Sequence, residues 1–224
     1  MDAEVVMPNF DFLSTSGCLL CDELQGDSPL STRIGLCADV KSNILLESEF
    51  FVLIPDISPL VQGHSLLIPK EHYPSFAKLP NAFIEELGHF SRDCIAFISR
   101  QFCTPFLFEH GSGFLEPKSG ACIHHAHLHF FPLAAPVEKW ISEFGEVQQL
   151  GKIMPHELSE RLMLKDYLAY QDQWGNSHLV AELESRPPCQ FIRRRIAEHL
   201  NLADWHWEST FIKKLPLTAY ELQT

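Results

Sequence analysis

Four histidines crowd the eight residues His124-His125-Ala126-His127-Leu128-His129-Phe130-Phe131, and eight of the chain's twelve histidines fall between positions 64 and 129. In a strand, side chains alternate between faces. His125, His127 and His129 then project from one face about 7 Å apart, while Ala126, Leu128 and Phe130 point to the other. His124 falls on the apolar side. Such a ladder of imidazoles supports two chemistries: coordination of a metal, or a phosphate site served by titratable donors and a nitrogen nucleophile. The bland alternative is a solvent-facing strand that tolerates histidine, and three alternating copies beside a clean apolar face count against it.

A second group opens the ordered part of the chain. Cys18-x-x-Cys21 presents two thiolates to one metal, but the tetrahedral site that structural zinc favours needs two more ligands. Taken alone, the pair also reads as two small buried side chains.

The elements that must position these residues follow from pattern. Residues 1–17 read as an irregular lead-in, and Gln25 to Cys37 as a surface loop. Asn43 to Pro55 reads as a strand or hairpin arm, with a turn marked by Ser58-Pro59 and Gln62-Gly63. His64 to Pro69 is the next strand. Phe83, Leu87, Phe90, Cys94, Phe97 and Ile98 repeat at helical spacing, which predicts a helix from Asn81, as N-cap, to about Phe102. Pro105–Glu109 and Ile123–Leu133 complete the order strand, strand, helix, strand, strand. Beyond Pro136, helical patterns at Val137–Leu150 and Pro155–Lys165 precede a hairpin, Asp166–Gln171 and Ser177–Leu183 around Trp174-Gly175-Asn176. A last helix is predicted at Pro188–Leu200.

Composition narrows the function classes. The chain has 224 residues, 46% hydrophobic and 21% charged, an ordinary globular balance with room for one domain and an appendage or two small domains. A formal net charge of −12 speaks against a long polyanion such as nucleic acid as partner, since that binding needs a basic stripe. A small nucleotide in a locally positive pocket stays open. No run suits a membrane span, and no basic segment precedes the first apolar residues, so neither a membrane anchor nor a secretory leader is expected and the cytoplasm is the expected compartment. Seven cysteines, an odd number, fit reduced thiols better than a disulfide framework.

The pattern His125-x-His127-x-His129 resembles the signature of the histidine triad (HIT) superfamily of nucleotide hydrolases and transferases. Asp56-Ile57-Ser58-Pro59, Gly63-His64 with Leu66 to His72, and Glu109-His110-Gly111 agree with it in the expected order. The resemblance covers about residues 18–133. It implies an α+β fold, an antiparallel sheet with one long helix, over a histidine triad domain at 18–139, followed by a C-terminal α+β extension at 140–224. It also implies a homodimer that joins sheets across a two-fold axis.

For the chemistry, the resemblance implies that His127 attacks the α-phosphorus of a nucleotide and carries it as a covalent nucleotidyl-imidazole. His129 would stabilise the phosphate oxygens and help protonate the leaving group, and His64 would be a further phosphate contact. Asp56 would hold the ribose hydroxyls, Ile54 and Ile57 would wall the base pocket, and Glu109 and Gly111 would lie at the substrate. As a lone motif, Asp56-Ile57-Ser58-Pro59 reads equally as an Asx turn. Glu109 stands where many relatives have asparagine, which suggests a cationic or amine-bearing substrate. Ser119 to Cys122 depart from the Ser or Gln many relatives carry before the triad. Relatives with the N-terminal cysteine pair complete a zinc site with histidines that correspond to His72 and His125, so Cys18, Cys21, His72 and His125 become the expected zinc ligands. His129 at the third triad position, where transferases often carry glutamine, leans towards hydrolysis. Transfer of the nucleotide to another acceptor is the alternative, and a nucleotide-binding regulatory module is the reading from a different class.

In the extension, Arg193, Arg194 and Arg195 spread around the last helix because consecutive residues do not share a face. They read as solvated or paired with acids of this acidic chain. The functional alternative is that one of them, with Gln190 as a substrate contact, reaches the triad pocket and reads the leaving group. Trp205 and Trp207 are expected to cap the extension's core rather than stack on a base.

Overall fold

The computed structural model describes residues 17–25, 30–33, 43–112, 123–152, 162 and 165–207. One eight-stranded antiparallel sheet organises them, in the order β1-β2-β3-β5-β4-β7-β8-β6. Its strands are β1 Leu46–Glu47, β2 Phe51–Pro55, β3 Ser65–Pro69, β4 Phe106–Gly111, β5 Leu128–Phe131, β6 Gln148–Gly151, β7 Tyr167–Gln171 and β8 Ser177–Val180. The helices are α1 Leu19–Gln25, α2 Leu30–Arg33, α3 Ile84–Ser99, α4 Val137–Ile141 and α5 Phe191–His199. This is an α+β fold with one long helix.

Residue pairing carries the two faces across the sheet. Ile54 opposes Leu66, Leu66 opposes His129, His129 opposes Phe108, Phe108 opposes Tyr170, and Tyr170 opposes His178. Directly opposed residues point the same way, so these side chains form one row on one face. The other face packs on α3: Leu53, Leu67, Leu107 and Phe130 meet Leu87, Phe90, Cys94 and Ile98 in one buried cluster. Full burial of such a leucine or phenylalanine stabilises by about 1.5–3 kcal/mol. The first face packs on α4 and α5 through Phe106, Phe108, Phe131, Trp140, Phe191 and Ile196. Covered on both sides, β2 and β3 are buried at every position, and their apolar runs FVLIP and LLIP follow from that.

Several boundaries differ from expectation. Asn81 does not cap α3; Asn81–Phe83 form a 3-10 turn that leads straight into the helix, and the N-cap position is Phe83, without a side-chain cap. The helix predicted over Val137–Leu150 ends at Ile141, and Gln148–Gly151 pair with β8 instead. Gly145 marks the break: a Cβ there would lie 2.4 Å from the carbonyl oxygen of Glu182, so this point needs glycine. The predicted hairpin is present as β7 and β8. The helix at Pro155–Lys165 and the segment Ser119–Cys122 lie outside the described residues, apart from isolated positions near Lys165.

The extension does not stand apart. β7 pairs with β4 along five residues, Leu107 to Gly111, so strands on both sides of residue 140 share one sheet. Among the described cysteines, Cys18, Cys21, Cys94 and Cys103 take part in no disulfide. Cys189 is disulfide-bonded, a bridge that the preference for reduced thiols over a disulfide framework did not single out.

Candidate active site

The triad does not occupy one face as a ladder. β5 begins at Leu128, and the residues before it leave the sheet register, with the Ala126 N–H donating to the Tyr73 carbonyl at 2.6 Å. Released from strict alternation, His125 turns to the two cysteines, whereas His127 and His129 line a pocket. The expectation of three rings on one face is corrected for His125.

Each ring is held by a specific contact. His127 donates through Nδ1 to the His125 carbonyl at 2.7 Å, because a carbonyl only accepts. That leaves Nε2 with its lone pair. Desolvation pulls His127 below the ordinary histidine pKa, opposed by this hydrogen bond and by Asp56, so the ring is neutral near pH 7. His129 Nδ1 lies 3.0 Å from His64 Nε2. Burial, and then His127 and His64, hold His129 well below the ordinary range, with Asp56 acting upward and Arg193 downward.

The same pocket is lined by Leu19 and Leu20 of α1, by Ile54 to Ile57 and Leu66, by Phe108 and His110 of β4, and by Gln190 to Arg193 with Trp207. Of the residues the sequence singled out, Ile54, Asp56, Ile57, His127, His129 and Gln190 therefore converge. His64 is fully buried behind His129 and does not line the pocket. Asp56 is engaged within the protein: its Oδ1 accepts from the Ser58 N–H at 2.7 Å, the Asx turn seen in the sequence, and its Oδ2 lies 3.2 Å from Arg193 and 3.5 Å from His64.

Glu109 and Gly111 are on the wrong face for substrate. Phe108 opposes His129, so parity puts Glu109 and Gly111 on the opposite side of β4. There the Glu109 carboxylate accepts from the Phe76 N–H at 2.8 Å and from the Tyr167 hydroxyl at 2.7 Å. Burial raises the acid to about 7 against the pull of those two donors. Gly111 faces the Tyr167 ring, which a Cβ would meet at 2.1 Å. Both positions serve packing, and the inference of a cationic substrate from Glu109 loses its basis.

His110 and Trp207 were not assigned to the pocket by the sequence, and Arg193 fits the alternative that one arginine of the extension reaches it. His110 shares the parity of Phe108, which opposes His129, and lines the pocket; that parity was readable. Trp207 lines the pocket rather than only capping the extension, and its backbone N–H donates to Gln190 Oε1 at 3.0 Å. Arg193 is the arginine that turns inward. Arg194 and Arg195 stay on the surface, paired with Glu198 and, for Arg195, also with Glu143.

Cys18, Cys21, His72 and His125 offer ligand atoms all within 4.8 Å of one another. His72 Nδ1 lies 3.2 Å from Cys21 Sγ, and His125 Nδ1 lies 3.6 and 3.4 Å from Cys18 and Cys21 Sγ. Zinc bonds of 2.3 Å to sulfur and 2.0–2.1 Å to nitrogen set tetrahedral ligand edges of about 3.3–3.8 Å, so the four atoms fit one ion. The supporting shell agrees. His125 donates through Nε2 to the Pro69 carbonyl at 2.9 Å, which leaves Nδ1 unprotonated and aimed at the thiols. Burial holds His125 at about 4, hence neutral, and pushes Cys21 up to about 12 with Cys18 adding to it. A thiol so raised is what a divalent cation would deprotonate.

Part of the chain is similar to known proteins. Residues 38–135 match the family model of the HIT domain. The chain is 27% identical over 129 residues, 56% of this chain and 57% of the relative, to a protein of Arabidopsis thaliana named Adenylylsulfatase HINT3, and so spans little more than half of that relative's length. It is 23% identical over 148 residues to an uncharacterized HIT-like protein of Methanocaldococcus jannaschii, covering 65% of this chain and 95% of that one. Among solved structures, a zinc-bound histidine triad family protein from Mycobacterium smegmatis is 20% identical, covering 55% of this chain and 79% of that one at a TM-score of 0.41. Residues 38–135 are thus matched by the HIT domain, in keeping with the resemblance carried by His125, His127 and His129.

Proposed function

We propose that the protein is a nucleotide hydrolase that cleaves a nucleoside phosphate anhydride, ester or phosphoramidate at the α-phosphorus. One observation carries the reading. His127 is a neutral imidazole whose Nδ1 is tied to the His125 carbonyl, so Nε2 is left as the nucleophile in a pocket it shares with His129. In the first step Nε2 forms a bond to phosphorus, and the bond from phosphorus to the leaving group breaks with its electron pair going to that group. The neutral His129 donates a hydrogen bond to the phosphate oxygens, and the leaving group takes its proton from solvent. Water then attacks phosphorus, its proton passes to solvent, and the pair returns to His127, which releases a nucleoside monophosphate. Ile54 and Ile57 offer apolar walls for a base, and Gln190 offers a polar contact from the extension.

The relative named an adenylylsulfatase and a solved HIT family hydrolase from Clostridium thermocellum, 18% identical with a TM-score of 0.39, are in keeping with hydrolysis. Transfer to an acceptor other than water uses the same intermediate and is the second reading. Zinc at Cys18, Cys21, His72 and His125 would pin α1 and the loop before β5 and take no part in the chemistry. Among the described residues no helix is long and apolar enough to cross a membrane. A sheet-joining homodimer would have to use β1 or β6, since β7 already pairs with β4.

The test is incubation with dinucleoside polyphosphates, nucleotide sugars, adenosine 5′-phosphosulfate and adenosine phosphoramidate, with release of monophosphate as readout. Turnover of at least one class that His127→Ala abolishes is expected. Nucleotide binding without turnover of any class would leave the regulatory module in its place.

A further inference from the structure

Arg193 comes from α5, 137 residues along the chain from Asp56, yet it is among the most buried charges of the molecule, 3% exposed. Its Nη1 donates to Asp56 Oδ2 at 3.2 Å, its Nη2 to the Ser58 carbonyl and hydroxyl at 2.6 and 3.1 Å, and its Nε to the Trp205 carbonyl at 3.1 Å. Placing a guanidinium there costs desolvation that a surface arginine would avoid. The contacts anchor it to the turn that carries Asp56 and to the segment that carries Trp207.

From Asp56 a line of contacts runs to the pocket. The Oδ2 that meets Arg193 is 3.5 Å from His64 Nε2, and that nitrogen is 3.0 Å from His129 Nδ1. One proton lies between the two rings. With Asp56 beside it, the proton belongs on His64 Nε2, where the carboxylate attracts it. His129 Nδ1 is then the acceptor, and a neutral His129 carries its own proton on Nε2. That is the tautomer a phosphate needs as donor. Without a cation on Asp56, its buried negative charge would draw a second proton onto the imidazole pair. The groups that bear on the pair are Asp56 after β2, Arg193 on α5, and His127 before β5.

We propose that Arg193 is a positioning residue of the extension: by pairing with Asp56 it keeps the His64–His129 pair at one shared proton and so holds His129 as an Nε2–H donor to the substrate phosphate. The proposal rests on the reading of His129 as the phosphate donor. It gives the C-terminal extension a part in the chemistry rather than in stability alone. The opposed influences of Asp56 and Arg193 on His129 agree with it.

Nitrogen-15 spectra of histidine-labelled, full-length protein report which ring nitrogen carries a proton, without any need for turnover. Wild-type His129 is expected as the neutral Nε2–H form at pH 7. Arg193→Met should convert it to a doubly protonated or mixed form and lower kcat about 10–100-fold with KM within threefold. Arg193→Lys, which can still neutralise Asp56, should restore most of the Nε2–H form. If Arg193→Met does not fold, Arg193→Gln takes its place, because it likewise leaves the Asp56 carboxylate without a cation while keeping polar contacts to the Ser58 turn. An Nε2–H ring unchanged in Arg193→Met or in its replacement overturns the proposal, as does activity lost through KM alone. If wild type turns over nothing, the hydrolase reading fails while the tautomer result still decides the role of Arg193.

Discussion

His127 is bound by its ring to the backbone of His125, Nδ1 to carbonyl oxygen at 2.7 Å. One residue thus turns its side chain to the thiols of Cys18 and Cys21 and its carbonyl to the His127 ring. Under the proposed function, the zinc ligand and the nucleophile would then be joined through a single peptide unit while doing separate chemistry.

From that junction comes a prediction about metal. Purified protein should hold about one zinc per chain, and Cys18→Ser should lose it and melt at clearly lower temperature than Cys103→Ser, an exposed free thiol. Structural zinc contributes about 10–16 kcal/mol of binding free energy that a three-ligand site only partly retains. Metal analysis and calorimetry check this. Equal melting of the two variants, with no zinc in either, contradicts the site.

Glu109 predicts a pH signature of stability. Burial lifts its pKa from 4.5 to about 7, so the folded state binds the proton more tightly than the unfolded one. Its contribution to stability is therefore complete below about pH 4.5 and is lost as pH rises through 7, on the order of 3 kcal/mol in all. Glu109→Gln keeps an acceptor for the Phe76 N–H and should flatten unfolding free energy between pH 5 and 7. Denaturant titrations at several pH values measure it.

Gly111 separates packing from binding. Gly111→Ala should destabilise by about 1–3 kcal/mol, because the added Cβ meets the buried Tyr167 ring, and should leave KM of the folded enzyme within about threefold. A large rise in KM at unchanged stability would restore the substrate role expected of this position.

Much of this was legible because histidine and cysteine are rare and their spacing is informative. The strand at His64–Pro69 and the hairpin around Trp174-Gly175-Asn176 follow from local pattern, whereas the grouping of Cys18 and Cys21 with His72 and His125 rests on the resemblance to histidine triad proteins. Less legible was whatever depends on a partner far along the chain. Glu109 matched a motif position, but its face is set by the register of Phe108 on His129. Gln148–Gly151 carry a helical pattern and become a strand because β8 offers an open edge. Arg193 could not be told from Arg194 and Arg195, since only the docking of α5 on the sheet through Phe191, Ile192 and Ile196 decides which of three consecutive side chains turns inward.

The nucleophile is the central claim, and mass spectrometry of protein quenched during turnover of a slow nucleotide substrate tests it most directly. The account predicts a mass gain of one nucleotidyl group, located on the peptide at His127 and absent from His127→Asn. Turnover with His127 unmodified throughout, or an adduct that persists in His127→Asn, would contradict it.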